Sequence, residues 1–425
     1  MATRLGADYQ PTVLWQDTAT PHEVAARELP STADVVVIGG GYCGLSAGVE
    51  LARRGRAVVV LDAHDLGGGA STRNGGMVLP ELKAGPRSLE RSHGELGLRL
   101  HQEVEDAFDH VEALVAEHAI DCAYERSGQL YLSHSERTAH HLDELGEELT
   151  SIGSPAHVVR GADLAAEIGS ERFAAGLVVE RSGGIHPARF HAGLVRLADD
   201  AGASLHAATP ATAVTAHGDR WRVATPRGEV DAAQVLVATN AYADALVPAL
   251  RRRVLPMGSF IIATEPLDPA LATAVLPTRR MCFNDRNLLW YWRLDDEGRM
   301  VFGGRKRLGA VGLDEARDFL YASMLEVHPQ LEGVRVERAW GGQVALTIDR
   351  LPHCGSIGGL WYATGCNGSG VALNTWMGHR MAGALCGEPL PPFAELAHKP
   401  IPLYALRRAW LPLVSAWFRF QDRRT

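Results

Sequence analysis

The stretch that decides the fold is Asp34-Val35-Val36-Val37-Ile38-Gly39-Gly40-Gly41-Tyr42-Cys43-Gly44. Its apolar start predicts a buried parallel strand, and the Ala- and Leu-rich residues 45–54 predict a helix that ends before Gly55. Residues 57–61 predict a second buried strand, which ends at Asp62. This order of strand, glycine loop, helix and strand is typical of a βαβ unit.

The glycines Gly39, Gly41 and Gly44 have the G-x-G-x-x-G spacing of a dinucleotide-binding loop. The first allows the tight turn, the second lets the backbone approach a pyrophosphate, and the third lets the helix pack on the strand. Asp62 is placed to accept hydrogen bonds from the ribose hydroxyls. A glycine turn without a ligand is the alternative, and the spacing alone does not separate NAD from FAD.

A second glycine cluster follows in residues 66–77, where a plain NAD-binding domain would enter another helix. Small side chains let the backbone come close to an extended cofactor. The alternative interpretation is a flexible surface loop.

The composition limits the classes of protein. The 425 residues carry a net charge of −8, with 46% hydrophobic and 22% charged residues, which predicts two or three ordered domains and gives no support to nucleic-acid binding. Six scattered cysteines without a CxxC pair predict neither a disulfide scaffold nor a metal site. Residues 1–30 lack the apolar core of a signal peptide, so we expect a cytoplasmic protein.

Later segments complete the organisation. We predict helices over residues 95–118, 135–149 and 188–203, an antiparallel hairpin over 281–304, and a strand, glycine loop and helix over 359–385. Antiparallel material between α/β segments indicates two discontinuous domains.

Several motifs together resemble one family. They are Ala70-Ser71-x-Arg73-Asn74-Gly75-Gly76, Gly183-Gly184-Ile185-His186-Pro187, Val235-Leu236-Val237-Ala238-Thr239-Asn240-Ala241-Tyr242, Trp340-Gly341-Gly342, Asp349-Arg350-Leu351-Pro352 and Gly365-Cys366-Asn367-Gly368-Ser369-Gly370-Val371-Ala372-Leu373. With the glycine fingerprint they resemble the FAD-dependent amine and amino-acid oxidases of the D-amino-acid-oxidase-like superfamily, and most closely its γ-glutamylputrescine oxidase-like branch.

The resemblance implies a p-hydroxybenzoate-hydroxylase-like fold, α/β plus α+β, with a Rossmann-type FAD-binding domain and an antiparallel-sheet substrate domain. The expected boundaries place residues 31–85, 155–245 and 338–395 in the FAD-binding domain, 86–154 and 246–337 in the substrate domain, and 396–425 in a C-terminal tail.

The resemblance also implies the residues that bind FAD. These are Gly39, Gly41, Tyr42, Cys43, Gly44, Asp62, Ala70, Ser71, Arg73, Asn74, Gly75, Gly76, Met77, Ala238, Thr239, Asn367, Gly368, Ser369, Gly370 and Val371. A cysteine that tethers the flavin in sarcosine oxidases is matched by Gly342, and residues 67–77 contain no histidine, so we expect non-covalent FAD. The helix that begins near Gly370 would direct its positive end at the flavin.

The implied activity is oxidation of a C–N bond in a small-molecule amine or amino acid. A hydride passes to flavin N5, water hydrolyses the imine, and oxygen reoxidises the flavin to give hydrogen peroxide. Two lysines of the sarcosine oxidase branch match Ala372 and Val301, which argues against a small N-methyl amino acid and, at Val301, against oxygen as acceptor. The alternatives are a dehydrogenase that passes electrons to a quinone or a partner protein, a non-catalytic flavin-binding subunit and a nicotinamide dehydrogenase.

The candidates for the substrate pocket are Trp290, Trp292, Arg305 and Trp340. Aromatic rings can enclose an amine by cation–π contact, and a guanidinium can hold a carboxylate through two hydrogen bonds. Ordinary core packing of the tryptophans is the alternative. We predict no side chain as the catalytic acid or base.

The tail mixes aromatic residues with arginine over residues 406–412 and 417–420. Docking onto the protein's own surface is the favoured interpretation, and peripheral membrane contact is the alternative. We expect Pro412 to interrupt any long helix.

Overall fold

The structure, a computed structural model, describes residues 3–243 and 246–422. Its strands are β1 (Leu5–Gln10), β2 (Thr32–Ile38), β3 (Val58–Leu61), β4 (Met77–Val78), β5 (Gln129–Ser133), β6 (Ala156–Arg160), β7 (Ala175–Val179), β8 (Gly183–Gly184), β9 (Ser204–His206), β10 (Ala213–His217), β11 (Arg220–Thr225), β12 (Gly228–Val237), β13 (Leu255–Pro266), β14 (Met281–Asn284), β15 (Trp290–Leu294), β16 (Arg299–Gly304), β17 (Val336–Leu346), β18 (His353–Ile357) and β19 (Leu360–Thr364). Its helices are α1 (Leu14–Asp17), α2 (Tyr42–Arg53), α3 (Pro86–His93), α4 (Glu95–Glu117), α5 (Glu136–Ser151), α6 (Gly161–Glu167), α7 (Pro187–Asp200), α8 (Pro248–Arg251), α9 (Pro269–Val275), α10 (Leu313–Val327), α11 (Gly370–Leu385) and α12 (Arg407–Asp422).

One sheet is built around the predicted βαβ unit. Its order is β10-β11-β12-β2-β3-β9, and β19 pairs with the carboxyl end of β12. The pairs β12–β2, β2–β3 and β3–β9 are parallel. Val35 and Val37 pack into the cluster that contains α2, whereas Val36 packs into a cluster on the opposite face. Burial on both faces is typical of a parallel sheet, and it confirms the predicted Rossmann-type domain.

The second sheet has the order β1-β17-β13-β16-β15-β14-β5-β7-β6. Its neighbouring strands are antiparallel except for the pairs β1–β17 and β14–β5. The hairpin predicted over 281–304 is confirmed, and Asp295 closes its turn because Oδ1 accepts hydrogen bonds from the backbone N–H groups of Glu297 (3.0 Å) and Arg299 (2.7 Å). The mixed fold class predicted from the sequence is therefore present.

The expected domain boundaries do not coincide with the division of the strands between the two sheets. Residues 155–179 were assigned to the FAD-binding domain but form β6 and β7 of the antiparallel sheet, and β17, assigned there from residue 338, lies in the same sheet. Every residue of β7 is buried, since Leu177 packs under α5 and Val178 packs into the cluster that contains Trp292. A strand covered on both faces resembles a parallel strand in its sequence, which explains the wrong assignment.

Two helices meet closely beside the first sheet. α11 lies against α2, and a Cβ atom at Gly378 would come within 2.1 Å of the carbonyl oxygen of Cys43. Glycine therefore allows the axes to approach, and the contact places the N-termini of both helices near the same cavity.

The tail docks through one face of α12. Leu411 and Ser415 are buried there, and the Ser415 hydroxyl accepts a hydrogen bond from the backbone N–H of Leu308 (3.1 Å). Docking of the tail onto the protein's own surface is therefore confirmed.

The expected interruption at Pro412 is wrong, because α12 continues through this residue. Pro412 is exposed, and packing of the neighbouring buried residues offsets the backbone hydrogen bond that proline removes. Within the part of the chain that the structure describes, no helix is long and apolar enough to cross a lipid bilayer.

We expect Trp292→Ala to lower the free energy of unfolding by about 3–5 kcal/mol, because the ring is fully buried and stacks on Phe173 and Phe302. Urea unfolding of the apoprotein measures the change. Trp417→Ala is the matched control, since that side chain is 56% exposed, and it should change the value by less than about 0.5 kcal/mol. Equal losses in the two variants would contradict the core position of Trp292.

Candidate active site

A cleft lies at the carboxyl ends of β2, β3 and β12, and we call it the cofactor cleft. The predicted residues that line it are Gly39, Gly41, Tyr42, Cys43, Asp62, Ala70, Ser71, Ala238 and Thr239. They come from three separate segments of the chain, so the fold brings the two glycine clusters and the end of β12 together.

The fingerprint glycines allow close backbone packing around this cleft. Gly39 has φ +114°, and a Cβ atom there would lie 2.8 Å from the carbonyl oxygen of Ala238. A Cβ atom at Gly44 would overlap the carbonyl oxygen of Gly39, which explains why Gly44 packs behind the loop and does not line the cleft. The N-terminus of α2 faces a site suited to phosphate.

Asp62 is held at the end of β3. Its Oδ2 accepts a hydrogen bond from the Gly40 N–H (2.9 Å), and its Oδ1 accepts one from the His64 N–H (3.0 Å). Burial raises the pKa of this carboxyl group above its usual value. A carboxylate has more lone pairs than these two donors use, so Asp62 can also accept ribose hydroxyls.

The second glycine cluster is anchored by three buried side chains that donate to consecutive carbonyl groups. The hydrogen bonds join Trp340 Nε1 to the oxygen of Arg73, Trp15 Nε1 to that of Asn74 and Arg293 Nε to that of Gly75, each at 2.8 Å. The donors lie on β17, α1 and β15, so distant parts of the chain fix this loop.

Asn74 also braces the loop from within. Its Nδ2 donates to the hydroxyl of Tyr42 (3.2 Å) and the carbonyl of Ser71 (2.9 Å), and its Oδ1 accepts from the Gly76 N–H (2.8 Å). The small residues of this cluster therefore present a fixed surface to the cavity, unlike a flexible surface loop.

The cofactor cleft continues into a central cavity. Tyr42, Ala70, Ser71, Asn240 and Asn374 line both. The predicted residues that line the central cavity but not the cofactor cleft are Arg73, Asn74, Gly75, Met77, Asn367, Gly368, Gly370 and Val371. Gly44, Gly76 and Ser369 line neither cavity, although Ser369 Oγ donates to Glu81 Oε1 (2.9 Å) at the edge of the central one.

Asn240 connects the motif over 235–242 with the motif over 365–373 and is absent from the predicted binding residues. Its Oδ1 accepts a hydrogen bond from the Gly365 N–H (3.0 Å), and its Nδ2 donates to Cys366 Sγ (3.3 Å). Its place in the motif 235–242 is a sequence signal that could have identified it.

His191 is a second residue that the sequence analysis missed. Its Nε2 lies 2.8 Å from the carbonyl oxygen of Gly40, and burial lowers the pKa of this histidine to about 4. The neutral ring donates to the fingerprint loop from α7. A histidine inside a predicted helix offers no sequence signal for such a role.

The residues present fit an FAD molecule. The cofactor cleft and central cavity are continuous, and the N-termini of α2 and α11 both lie at their walls. Thr239 Oγ1 is buried in the cleft and has no hydrogen-bond partner among the described residues, so a ligand can satisfy this polar atom.

Arg305, predicted for the substrate pocket, lines the central cavity. Its Nε is shielded from solvent and has no hydrogen-bond partner, and among the described residues no carboxylate lies within ion-pair distance of its guanidinium. Desolvation lowers the pKa of the group, and the phenol of Tyr291 is its neighbour in the same wall.

The three tryptophans predicted for the substrate pocket lie in the core. Trp290 and Trp292 pack on the face of β15 that points away from the cavity, and Trp340 is the loop anchor described above. The side chains of a strand alternate between faces, so Tyr291 is the residue of β15 that lines the cavity. Its hydroxyl lies 3.1 Å from Ser259 Oγ.

Comparison with known proteins gives a consistent result. Residues 34–384 match the family model described as FAD dependent oxidoreductase. The chain is 32% identical over 400 residues to gamma-glutamylputrescine oxidoreductase of Escherichia coli (strain K12), which covers 92% of this chain and 93% of that protein. It is 30% identical over 419 residues to the probable oxidoreductase OrdL of Rhizobium meliloti (strain 1021), covering 96% and 97%.

Solved structures share the fold. Glycine oxidase from Geobacillus kaustophilus aligns with a TM-score of 0.73 at 22% identity, covering 87% of this chain and all of that one. L-proline dehydrogenase from P. horikoshii aligns with a TM-score of 0.72 at 20% identity, covering 86% and 96%. These alignments confirm the predicted fold.

We expect Trp340→Phe to weaken FAD binding by about fivefold, because the carbonyl of Arg73 loses a hydrogen bond worth about 1 kcal/mol and the loop loosens. Fluorescence titration of the apoprotein with FAD measures the dissociation constant. Trp292→Phe is the control, since this ring touches no cavity wall and should leave the affinity unchanged. An unchanged affinity in Trp340→Phe would show that the anchor does not hold the loop.

Proposed function

The chain belongs to the family of FAD-dependent oxidoreductases, and on that premise we propose that it oxidises a C–N bond in an amine or amino acid whose carboxylate is held by Arg305. The proposal includes non-covalent FAD and oxygen as the electron acceptor. The observation that carries it is the guanidinium of Arg305, which is half-buried with a shielded Nε and has no anionic partner among the described residues, in the wall of the cavity that continues from the cofactor cleft.

A partly desolvated cation without a partner is less stable than a paired one, and a bound carboxylate would supply the partner. The guanidinium offers two parallel donors to a carboxylate, and the phenol of Tyr291 beside it can donate to the same group. Ile261, Leu289 and Val344 form apolar parts of the wall of the same cavity. The contact would fix the substrate's carboxylate end and so orient its amine.

The apolar wall would also favour the neutral form of the amine, since desolvation disfavours the ammonium. FAD, when bound, supplies the acceptor for the hydride equivalent that leaves the carbon next to nitrogen. The substrate becomes an imine, which water hydrolyses to a carbonyl compound and an amine or ammonia. The positive end of α11 at Gly370 would stabilise negative charge at the cofactor.

Non-covalent attachment of FAD is supported by Gly342, which lines the central cavity near Arg73. A glycine at this position has no sulfur atom that could form a bond to the flavin. Cys366 lines the same cavity, but its Sγ already accepts a hydrogen bond from Asn240. Burial raises the pKa of Cys43 to about 12, so the thiol in the cofactor cleft is protonated and a weak nucleophile.

The name of the Escherichia coli relative supports the substrate class. γ-Glutamylputrescine contains an amine and a carboxylate, and the two chains align over 92% of this one. A γ-glutamylated polyamine is therefore the first compound to test.

A dehydrogenase is the second candidate, because Val301 is buried in an apolar cluster with Ile261 and Trp340. No cation occupies that position to promote reaction with oxygen. Lys83 lines the central cavity, but its Nζ lies 2.6 Å from Glu81 Oε1 and is neutralised there.

We expect the purified protein to be yellow and acid precipitation to release its flavin. An anaerobic panel of γ-glutamylputrescine, putrescine, sarcosine, and D- and L-amino acids identifies the amine that bleaches the spectrum. Admission of air should then restore the colour and produce hydrogen peroxide. Bleaching without recovery in air would assign the dehydrogenase, and a protein that no amine bleaches would contradict catalysis of this class.

We expect Arg305→Met to lower kcat/KM for a carboxylate-bearing amine by about 100-fold, as loss of a charge-assisted contact worth about 3 kcal/mol predicts. An amine without a carboxylate should lose less than about threefold. Lys306→Met is the matched control, because the adjacent ammonium pairs with Glu315 away from the cavity (2.9 Å). Equal losses for the two amines in Arg305→Met would show that Arg305 does not bind the carboxylate.

A further inference from the structure

A further cavity, which we call the outer chamber, adjoins the central cavity. The two spaces share six wall residues, and we call this boundary the junction: Glu81, Lys83, Phe283, Leu289, Arg305 and Asn367. Arg305 therefore lines both spaces. Because the wall is shared at this residue, a ligand held by Arg305 can extend from one space into the other.

The central cavity is the smaller of the two spaces. Its volume is about 160 Å³, whereas that of the outer chamber is about 530 Å³. Ligand pockets commonly measure about 300–1,000 Å³, so the chamber has room for a ligand group of its own. The residues expected to hold the flavin also line the central cavity, so bound FAD would take up part of its volume. A bulky substrate must then extend through the junction.

The wall of the outer chamber is mostly apolar. Its apolar side chains come from elements far apart in the sequence, among them α5, β7, β13, β17 and α12, and include Leu145, Leu177, Met257, Leu346, Val414 and Phe418. An alkyl or aryl group that enters such a space is removed from water, which favours its binding.

Three charged side chains of the chamber wall are already engaged or solvated. Asp285 Oδ1 lies 2.8 Å from His134 Nδ1, and the guanidinium of Arg286 lies over the ring of Trp290, 4.1 Å from its centroid. Arg350 is exposed to water. These charges therefore do not require a ligand, and an apolar group suits the chamber better than a second charged group.

The C-terminal helix α12 is a fixed part of this wall. The bond from the Leu308 N–H to Ser415 ties the helix to the segment that follows Arg305. The carboxylate of Asp422 accepts hydrogen bonds from the N–H groups of Asn287 (2.8 Å) and Leu288 (3.1 Å), which precede the junction on the other side. The inward face of the helix is thus held against the chamber.

We propose that the substrate is an amphiphilic amino acid or amine whose long apolar group lies in the outer chamber. This proposal rests on the proposed function and extends it. The C–N bond lies in the central cavity, the carboxylate lies at Arg305 in the junction, and the apolar group continues between α12 and the facing walls. The chamber then selects the substrate by the length of its apolar group.

A quinone that accepts electrons is a poorer occupant. To reach the flavin, its apolar ring would have to cover Arg305 and the ion pair of Lys83 with Glu81. Such a ring offers no anion to the guanidinium, so the polar groups of the junction would lose water without gaining a partner.

Binding of straight-chain carboxylic acids tests the chamber without oxidation, because these acids contain no amine. Isothermal titration calorimetry of the full-length FAD-loaded protein gives their affinities. We expect about a threefold gain for each added CH₂ group, so decanoate should bind about 100-fold more tightly than hexanoate. Equal affinities of the two acids would overturn the proposal.

Variants in two separate walls locate the apolar chain. Phe418→Ser on α12 and Leu145→Ser on α5 should each lower the ratio of the decanoate to the hexanoate affinity by about fivefold. Leu413→Ser is the matched control, since this side chain lies on the same helix as Phe418 but is 72% exposed and does not line the chamber. A ratio that neither wall variant lowers would contradict the assignment of the chamber.

Turnover separates this proposal from the proposed function. We expect kcat/KM for 2-aminodecanoate, in the reactive enantiomer, to exceed that for 2-aminohexanoate by about 100-fold. Length-dependent binding of the acids without bleaching by any amine would overturn the proposed function while confirming the chamber as a site for an apolar chain. Bleaching that ignores chain length would overturn only the role of the chamber. Loss of decylubiquinone reduction in Phe418→Ser, with amine oxidation intact, would assign the chamber to an electron acceptor and overturn the proposal.

Discussion

The central constraint in this protein is the capping of three consecutive carbonyl groups in the second glycine cluster. Arg73, Asn74 and Gly75 present these oxygens to the buried donors Trp340, Trp15 and Arg293. Each donor belongs to a different element, and Arg293 also bonds the carbonyl of Ile185 at 2.6 Å. Buried carbonyls must be satisfied, so the loop keeps this shape only when α1 and the second sheet are folded against it. The cofactor surface is thus a product of tertiary structure.

The sequence predicted the parts of the site that depend on local geometry. The fingerprint at Gly39, Gly41 and Gly44 requires neighbouring strand and helix segments, and these lie within one short stretch of chain. The end of β12 and the loop over 365–370 are indicated by the resemblance, which transfers positions that simple periodicity does not reveal. Their contact through Asn240 joins residues more than 120 positions apart.

The substrate side could not be predicted in the same way. Trp290 and Trp292 were chosen for their chemistry, but the face of β15 that meets the cavity is set by the packing of α10 and its neighbours. A strand exposes alternate side chains, so the residue of β15 that lines the cavity, Tyr291, lies between the two tryptophans. Similarly, β7 is buried on both faces by long-range contacts, and its sequence alone resembles a strand of the other sheet.

The two helix N-termini and Arg305 place positive charge around the continuous cavity, and this charge favours anionic ligands. α2 and α11 approach through Gly378, so their positive ends lie at one continuous cavity, and Arg305 lies in the wall of the same cavity. The one carboxylate in the central wall, Glu81, is already bound by Lys83 and Ser369. Phosphates at α2 and the proposed substrate carboxylate at Arg305 would each place negative charge beside a positive group. Cofactor binding and substrate recognition would then be two uses of the same electrostatic arrangement.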